Sequence, residues 1–384
     1  MGNQTRNERA NKGRPHSGRA DGLSVSIIGT RGYPSFYGGF ETAVRHLAPY
    51  LADMGWGVTV YGRGEAISSQ SDADKRIKSQ ITWGLERKSL STLSYGATAT
   101  LHSALRKPDV ALVMNVANGF FLPALKLRKI PSLVNVDGIE WDRDKWGRLA
   151  KATFHQGAKS TAKYATNLVF DANAIGDRWR DEFGRDGVFI PYGGNAPNEL
   201  PIEPGLKHRG YVLMVARLVP ENSVDVFLKA AEDVSRDYPV VIVGSSGYGG
   251  TMDDKVADLQ RRNQNVTWLG HVSDDSRLLS LWQHAGAYFH GHSVGGTNPA
   301  LVQAMACGAP VVARDTVYNR EVLGGAGVLV QPDAASISNS LRLLLGDSKE
   351  QDRLSAAVIA RASLDYTWEK VCHAYHSELL RLAT

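Results

Sequence analysis

Short runs of valine, isoleucine and leucine recur along the chain from Leu23 onward, and segments with helical spacing separate them. Nearly continuous apolar runs of this length are typical of strands in a parallel sheet that helices cover on both faces. The strands predicted in this first series are 23–30, 57–63, 109–116, 131–137, 166–172 and 187–192. Between the first two, apolar residues recur with helical spacing, which predicts a helix with one buried face. The residues of that face are Phe40, Val44, Leu47, Leu51 and Met54.

The pattern breaks at 191–210, where four prolines and four glycines fall within twenty residues and leave no room for regular structure. A second series of apolar runs follows, and after residue 332 only helical spacing remains. The strands predicted in this series are 210–217, 239–245, 266–270, 287–292, 309–314 and 327–332. The sequence therefore predicts two doubly wound α/β domains that face each other across a hinge, with ligands in the cleft at the carboxyl ends of the strands.

The composition is that of a folded protein, with 43% hydrophobic and 22% charged residues among 384. Disorder throughout the chain is excluded. The two cysteines, Cys307 and Cys372, favour a reducing cytoplasm over a disulfide framework and exclude a metal held by a cluster of thiolates. No apolar run reaches the ~18 residues that a bilayer span needs, and the first twenty residues lack the apolar core of a signal peptide. We therefore expect a cytoplasmic protein.

The formal net charge of +5 is concentrated at the amino terminus. The first twenty residues carry five cationic side chains and one acidic one, so the remainder of the chain is close to neutral. The segment 1–21 is rich in polar residues with almost nothing to bury, which predicts a disordered basic tail. A solvated extension is the simpler interpretation of this tail, and a tether to an anionic surface is the other. A nearly neutral folded part does not favour a nucleic-acid partner.

Glycine-rich turns follow several predicted strands, but their spacing excludes two common nucleotide sites. The glycines within 29–39 and 244–250 do not give G-x-G-x-x-G, and the chain contains no G-K-[ST] of a P-loop. Asp142 and Asp144 form an Asp-x-Asp pair, which holds a metal in some folds. We expect these two carboxylates instead to open a helix, where they offset the positive end of its dipole. No metal site is predicted.

The most specific segment is HSVGGTNPALVQAMACGAPVVA, residues 292–313. Asn298 followed by Pro299 predicts a helix start, because a capping side chain precedes the residue whose φ suits the first turn. Gly295 and Gly296 would let backbone N–H groups approach a ligand at that helix start. These features predict a ligand-binding loop at the carboxyl edge of the second sheet.

Three further blocks occur in order along the chain, IGTRGYP and YGGFET within 28–42, NVDGIEW at 135–141 and VARLVPEN at 215–222. Together with the segment 292–313 they resemble glycosyltransferase family 4. The resemblance extends from Ser24 to the last helix. Within the family, the chain is most similar to the bacterial rhamnosyl- and galactosyltransferases that build surface polysaccharides.

This resemblance implies a GT-B fold of two Rossmann-like domains. The first domain, 22–195, would bind the acceptor, and the second, 210–364, would bind the nucleotide sugar beyond a linker at 196–209. The last helix, 365–384, would cross back to the first domain. Transfer would retain the anomeric configuration and require no metal or other cofactor. The donor implied by this branch is dTDP-L-rhamnose, and the acceptor is lipid-linked or an oligosaccharide.

The resemblance also assigns donor-binding residues. Arg217 matches the arginine that holds the donor diphosphate, and a guanidinium at a strand end suits phosphate oxygens, although a surface arginine is the alternative. Asn222 stands where many relatives have a lysine as a second diphosphate cation. Gln303 stands where the wider family has a glutamate that touches the donor ribose, and the alternative is a core amide bonded to nearby backbone. The other donor contacts implied are Gly295, Gly296, Thr297 and Asn298.

Residues of the first domain match the other side of the cleft. Gly38 and Gly39 match the glycine loop that lets donor and acceptor approach, unless they form only a tight turn. Glu41 is either a carboxylate in the first turn of the following helix or a ligand of the acceptor hydroxyl. Asp137 ends a strand where relatives carry a His or Asp near the reacting centre, so it would accept or orient the hydroxyl proton of the acceptor, with an Asx turn as the alternative. Asp137 and Arg217 are the predicted catalytic residues.

Basic side chains alternate with aromatic ones in 141–165, among them Trp141, Trp146 and Phe154. Such a segment suits the surface of an anionic membrane, and a solvated helix with its aromatics in the core is the other interpretation. Lipid-linked acceptors are usual for the resembled family, so we predict peripheral association with the membrane. Two other function classes fit the architecture, a nucleotide-sugar epimerase and a catalytically silent nucleotide-sugar-binding protein.

Overall fold

The computed structural model describes residues 19–35, 38–64, 73–85, 91–143, 146–247 and 250–384. Most of the predicted basic tail, residues 1–18, lies outside this part of the chain, and so do Asp144 and Lys145 of the Asp-x-Asp segment. The described residues form two α/β domains, each built around one parallel sheet.

The first domain contains a seven-stranded sheet within the described residues, and every strand pair is parallel. Its strands are β1 Ser24–Ile28, β2 Gly57–Gly62, β3 Lys78–Ile81, β4 Val110–Met114, β5 Ser132–Asn135, β6 Asn167–Phe170 and β7 Val188–Phe189. They lie in the order β3-β2-β1-β4-β5-β6-β7. Strand order therefore reverses between β1 and β4, as in a Rossmann-like domain.

The helices described in this domain are α1 Gly39–Asp53, α2 Ser91–Arg106, α3 Leu122–Leu127, α4 Arg148–Tyr164 and α5 Asn173–Phe183. The predicted apolar face of α1 is confirmed, because Val44, Leu47 and Leu51 are fully buried in one core. Phe40 and Met54 pack at the margin of the same core. The apolar spacing thus predicted the buried face of this helix correctly.

β3 was not predicted from the sequence. Its residues, KSQI, lie at the sheet edge beside β2, and most of their side chains are exposed. An edge strand faces solvent along one side and does not need a continuous apolar run. The sheet is therefore one strand wider than the hydrophobic pattern indicated.

The expectation that Asp142 opens a helix is wrong. Asp142 lies in a short 3-10 turn, Glu140–Asp142, and α4 begins only at Arg148. Trp146 Nε1 donates a hydrogen bond to Glu140 Oε2 over 2.8 Å. This bond links the segment before α4 to the 3-10 turn, so the helix starts later. The carboxylate of Asp142 pairs instead with Arg178, at 3.5 Å from its Nη2.

The second domain contains a six-stranded parallel sheet within the described residues. Its strands are β8 Val212–Val215, β9 Val240–Val243, β10 Val266–Trp268, β11 Ala287–His290, β12 Val311–Arg314 and β13 Val328–Val330. They lie in the order β10-β9-β8-β11-β12-β13. The helices are α6 Val224–Val234, α7 Thr251–Arg262, α8 Asp275–His284, α9 Pro299–Ala306, α10 Val317–Leu323, α11 Ala334–Leu345, α12 Ser348–Asp365 and α13 Trp368–Ala383.

The chain crosses between the domains twice, and the two crossings lie side by side. Gly194 pairs with Thr367 in a parallel bridge, and its N–H donates to the carbonyl of Tyr366 over 2.8 Å. After this point α13 packs on the first domain, where Val371, Tyr375 and Leu379 join the core that contains α1. The predicted return of the last helix is therefore confirmed.

The loops that follow strands of one sheet contact the loops that follow strands of the other. Gly138, after β5, is so close to Gly295, after β11, that a Cβ atom on Gly138 would lie 2.9 Å from the Cα of Gly295. A Cβ atom on Gly39, after β1, would lie 3.4 Å from Pro299 of the second domain. The two Rossmann-like domains therefore meet at their carboxyl edges, which confirms the predicted GT-B fold and the position of its cleft.

Candidate active site

The helix start predicted in the second domain is present. Asn298 caps α9, since its side chain accepts a hydrogen bond from the N–H of Ala300 over 3.0 Å, and Pro299 is the first residue of the helix. The preceding loop turns at Gly295, whose φ of 90° is in the left-handed region that favours glycine. This loop and the amino terminus of α9 lie at the contact between the domains, where Gly295 leaves the backbone without a side chain.

Arg217 follows β8 and is exposed. Among the described residues, no hydrogen bond or ion pair engages its side chain. A guanidinium without a partner at the carboxyl end of a strand is available to an anionic ligand in the cleft. Its predicted diphosphate contact stays a prediction.

Asn222 is buried, and both polar atoms of its side chain are engaged within the protein. Its Nδ2 donates to the carbonyl of Arg217 over 2.7 Å, and its Oδ1 lies 2.7 Å from Nδ1 of His292. The amide therefore connects the loop after β8 to the loop after β11 and fixes the backbone of Arg217. It orients donor-side residues in this structure, and its predicted contact with the donor is untested.

His292 lies in the loop after β11 beside these residues, and no role was predicted for it. Because Asn222 must donate from Nδ2 to a carbonyl, its Oδ1 faces His292, and Nδ1 of the imidazole carries the proton. Burial lowers the pKa of His292 well below its usual value, and the neighbouring His290, Arg143 and Arg217 lower it further. The ring is therefore neutral at neutral pH, with Nε2 as a hydrogen-bond acceptor close to Gly295.

The first glycine loop faces the same cleft from the other domain. Gly38 precedes α1 with extended backbone, and Gly39 lies against Tyr192 and Pro299. Glu41 is buried in the first turn of α1, and its Oε1 accepts the N–H of Arg31 over 3.1 Å. The carboxylate thus braces the loop between β1 and α1, which is the structural one of its two predicted roles. Binding of an acceptor by Glu41 is untested.

Asp137 occupies a strained position after β5, with a φ of 62°. Two asparagines hold it there, since Asn135 Oδ1 accepts its N–H over 2.9 Å and Asn115 Nδ2 donates to its Oδ2 over 3.2 Å. The contact to Asn135 is an Asx turn formed by the Asn135 side chain, and not the Asx turn of Asp137 itself that the sequence offered as the alternative. Asp137 remains partly exposed, so its carboxylate can also meet a ligand in the cleft.

Asp171 forms the closest contact between the two edges. It follows β6, is 3% exposed, and its backbone carbonyl accepts hydrogen bonds from both the N–H and the hydroxyl of Thr297. Its carboxylate lies so near Gly296 that a Cβ atom there would overlap it. Burial, and then the charge of Asp137, raise the pKa of Asp171 to about 8. Asp171 is therefore protonated in this closed arrangement at neutral pH.

Arg143 lies between these carboxylates and the glycine loop. It is 8% exposed and pairs with Glu140, with 2.6 Å between Nε and Oε1. Its Nη2 would lie 2.9 Å from a Cβ atom on Gly138 and 3.3 Å from one on Gly295. Arg143 therefore supplies a fixed positive charge where the two domains meet.

Gln303 forms the backbone contacts that were one of its two predicted roles. Its Oε1 accepts the N–H of Asn195 over 3.1 Å, and its Nε2 donates to the carbonyl of Asn195 over 2.7 Å. The amide thus ties α9 to the segment that enters the linker. Its predicted contact with the donor ribose is untested.

Two residues of the predicted membrane segment 141–165 are not available to a membrane surface. Trp141 is 8% exposed and packs edge-on against Trp179 and Phe183, with centroid distances of 6.2 and 5.9 Å, and Arg143 is buried at the cleft. Because the core needs Trp141, the interpretation of this aromatic as a membrane contact is wrong. None of the described helices is both long enough and apolar enough to span a bilayer. Peripheral association itself stays a prediction.

Sequence reasoning missed His292, Asp171 and Arg143. His292 opens the glycine-rich segment, and its position before two glycines was a usable signal. Asp171 ends an apolar strand run in the same way as Asp137, which placed it at the correct edge of the sheet. Nothing in the local sequence indicated Arg143, because its burial arises from contacts between the domains.

Residues 199–361, which contain the second sheet, match the family model described as Glycosyl transferases group 1. The chain is 28% identical over 172 residues to the O-antigen chain mannosyltransferase B of Escherichia coli, covering 43% of this chain and 44% of that protein. It is 33% identical over 239 residues to the phosphatidyl-myo-inositol mannosyltransferase of Mycolicibacterium smegmatis, covering 55% of this chain and 59% of that protein. The chain thus spans about half the length of these curated relatives.

Solved structures with the same architecture cover nearly the whole chain. Sucrose-phosphate synthase from Thermosynechococcus elongatus superimposes with a TM-score of 0.77 at 18% identity, over 94% of this chain and 98% of that one. The Anabaena protein HepE, solved in complex with UDP, gives 0.72 at 15% identity, over 94% and 100%. These likenesses establish the fold. The chain therefore has the GT-B architecture, and its second domain matches the Glycosyl transferases group 1 model.

Proposed function

We propose that the protein is a glycosyltransferase that moves a sugar from a nucleoside-diphosphate donor to a hydroxyl of a lipid-linked or oligosaccharide acceptor. The observation that carries the proposal is the contrast in charge across the cleft. The second domain offers the guanidinium of Arg217, which has no partner among the described residues, whereas the first domain offers the carboxylate of the partly exposed Asp137. A diphosphate suits the guanidinium, and a hydroxyl that must lose a proton suits the carboxylate.

On the donor side, three features support binding of the diphosphate. Arg217 is exposed and engages no partner among the described residues, and Gly295 lets the backbone approach a ligand. His292 is neutral, so its Nε2 can accept a hydrogen bond from a sugar hydroxyl. The similarity to a protein solved with UDP is consistent with a nucleotide at this edge.

On the acceptor side, Asp137 is held in place by Asn115 and Asn135 and keeps part of its carboxylate exposed. We propose that it orients the acceptor hydroxyl toward the sugar. Because a retaining transfer without a protein nucleophile leaves charge on the departing diphosphate, that leaving group takes the hydroxyl proton, and Arg217 stabilises the developing charge. Retention of configuration is part of this proposal.

The donor sugar has two candidates. The motif resemblance favours L-rhamnose carried by dTDP, whereas the two relatives named above are mannosyltransferases. Arg217 and the glycine loop contact the part that all nucleoside diphosphates share, so they do not distinguish between the two sugars. We retain L-rhamnose as the predicted sugar and D-mannose as the alternative.

A panel of nucleotide sugars tests the proposal. Each of dTDP-L-rhamnose, GDP-mannose, UDP-glucose and UDP-galactose is added to the protein, and the rise in melting temperature identifies the donor that binds. The same donor is then incubated with lipid-linked and oligosaccharide acceptors, and NMR of the product gives the anomeric configuration. Transfer with retention supports the proposal. A product of inverted configuration contradicts the retaining step.

The donor alone separates the two remaining function classes. An epimerase converts the nucleotide sugar without an acceptor, and a binding protein raises its own melting temperature without consuming the donor. Conversion of donor to an isomer in the absence of acceptor would replace the transferase proposal.

A further inference from the structure

A cavity of about 130 Å³ lies on the first domain, away from the cleft. It opens between the sheet and the carboxyl-terminal half of α2. Ser24 at the start of β1 and Pro108 just before β4 line it, which places it at the amino ends of the strands. The candidate active site is at the carboxyl ends, so the cavity is a separate feature that the proposed function does not use.

The floor of the cavity consists of buried hydroxyl groups. Ser26 and Tyr61 are 3% and 2% exposed, and both line the cavity. The Tyr61 hydroxyl lies 3.0 Å from Nδ1 of His102 on α2. Burial raises the pKa of Tyr61, and the neighbouring side chains of Ser26 and Ser103 lower it in part.

The rim of the cavity is positively charged. Lys78 of β3 and Arg106 of α2 are exposed cavity residues, and within the described part of the chain neither has an ion-pair partner. Burial lowers the pKa of His102, and the charges of Arg106 and Lys78 lower it further, which places both cations near the imidazole. The N–H and hydroxyl of the cavity residue Ser24 both donate to Oδ2 of Asp109, which is not among the residues that line the cavity.

A cavity with two cations at its rim, and with hydroxyl and imidazole side chains in its wall, matches an anion with several oxygens. Its volume equals that of about four liquid water molecules, which leaves room for one tetrahedral group. We propose that this cavity binds a phosphate group, as free phosphate or as the phosphate of an anionic phospholipid.

The surface beside the cavity decides which source to test. Leu101 and Leu105 of α2 are 57% and 79% exposed, and each directly precedes His102 or Arg106. Residues four apart lie on the same side of a helix, so an apolar row runs beside the row that faces the cavity. This arrangement is typical of surfaces that meet lipid headgroups, whereas free phosphate would not need the leucines.

Binding of inorganic phosphate and of vesicles is measured with the full chain, and the double variant Lys78→Gln/Arg106→Gln is compared with Lys126→Gln/Lys129→Gln. The two control lysines are exposed on the same domain and lie outside both the cavity and the segment 141–165. We expect calorimetry with phosphate, or co-sedimentation with phosphatidylglycerol vesicles, to show binding that the cavity variant weakens about tenfold or more and the control leaves unchanged. Both variants change exposed side chains and should keep the wild-type melting temperature.

The two arms assign the source. If the phospholipid is the ligand, Leu101→Ser/Leu105→Ser weakens vesicle binding and leaves phosphate binding unchanged, while Leu127→Ser, equally exposed on α3, changes neither. If free phosphate is the ligand, the protein co-sediments to the same extent with vesicles of phosphatidylcholine alone and with vesicles that contain phosphatidylglycerol. The proposal is overturned if neither probe binds, or if the cavity and control variants lose the same affinity.

Discussion

The two edges of the cleft differ in how their polar groups are used. On the second domain, Arg217 is exposed without a partner among the described residues, and Gly295 opens the backbone to a ligand. On the first domain the polar groups are buried or braced, as for Asp171 at 3% exposure and Asp137 between two asparagines. This difference is the basis for the proposed assignment of one substrate to each edge.

A cation without a protein partner can bind an anionic ligand. A carboxylate held in a fixed, strained position can orient a neutral hydroxyl. This difference supports the proposal that the donor diphosphate binds the second domain and the acceptor hydroxyl binds the first. Variants on the two edges should consequently fail in different ways.

The largest effect is expected for Arg217→Ala. Loss of the one cation predicted to meet the diphosphate should weaken donor and transition-state binding together, lowering kcat/KM by roughly 2 to 4 kcal/mol in free-energy terms. Steady-state kinetics and nucleotide titration measure it. Arg261→Ala is the control and should behave as wild type, because Arg261 is an exposed arginine near the carboxyl end of α7 in the same domain. Unchanged kinetics in Arg217→Ala would move the diphosphate elsewhere.

Asp137→Asn should affect turnover alone. The amide keeps the shape of the side chain but loses the charge that orients the acceptor hydroxyl. Because the leaving diphosphate takes the proton in the proposed reaction, turnover should fall by less than the ~100-fold that loss of a general base costs. Nucleotide affinity should stay near wild type, because Asp137 belongs to the other edge. Asp142→Asn, an exposed aspartate of the same domain, is the matched control. A large loss of nucleotide affinity would place Asp137 in the donor site.

Gly296→Ala tests the contact between the edges. The added methyl group would overlap the Asp171 carboxylate in the closed cleft, and overpacking of this kind costs about 1 to 3 kcal/mol, so kcat/KM should fall about tenfold. Asp171→Ala in the same chain should restore part of the loss, because it removes the group that the methyl meets. Gly147→Ala, where a Cβ atom meets nothing, is the control. If Asp171→Ala restores none of the loss, the defect of Gly296→Ala does not arise from the contact with the Asp171 carboxylate.

The smallest effect on activity is expected for Asp171→Asn, whose main consequence is a change in the pH dependence of stability. The folded pKa of about 8 is above the ordinary value of 3.8, so the unfolded chain releases this proton first as pH rises. Wild-type stability should therefore fall between about pH 4 and pH 8, and the charges that face Asp171 in this range are those of Asp137, Arg143 and Glu321. The variant lacks this contribution.

Melting temperatures at pH 5.0, 6.5, 8.0 and 9.0 measure the difference. The variant should gain stability over wild type as pH rises to 8 and then keep a constant advantage. Asp177→Asn, an exposed aspartate on α5, should follow the wild-type curve. Parallel curves for Asp171→Asn and wild type would contradict a buried, protonated carboxyl.

Much of the fold was predictable from the sequence, and the reason is local. The apolar strands and the helix start at Asn298 and Pro299 depend on residues that are neighbours in the chain, so their pattern predicts them. β3 was missed because KSQI carries no apolar run. The start of α4 was predicted too early, because the bond from Trp146 to Glu140 depends on tertiary packing.

The site was predictable in part for the same reason. Arg217 and Asp137 end predicted strands, and parallel strands bring such residues to one edge. The roles of Asn222 and Gln303 within the structure depend on partners far along the chain, His292 and Asn195. The burial of Asp171 requires Thr297 of the other domain. No spacing in the sequence encodes these contacts.

Amide hydrogen exchange with a bound nucleoside diphosphate, without acceptor, tests the assignment of the two edges most directly. We predict protection at 217–222 and 292–300 on the second domain, with 135–143 on the first domain changed much less. Arg217→Ala should abolish that protection, and Asp137→Asn should preserve it. Protection centred on 135–143, with 292–300 unchanged, would contradict the assignment of the donor to the second domain.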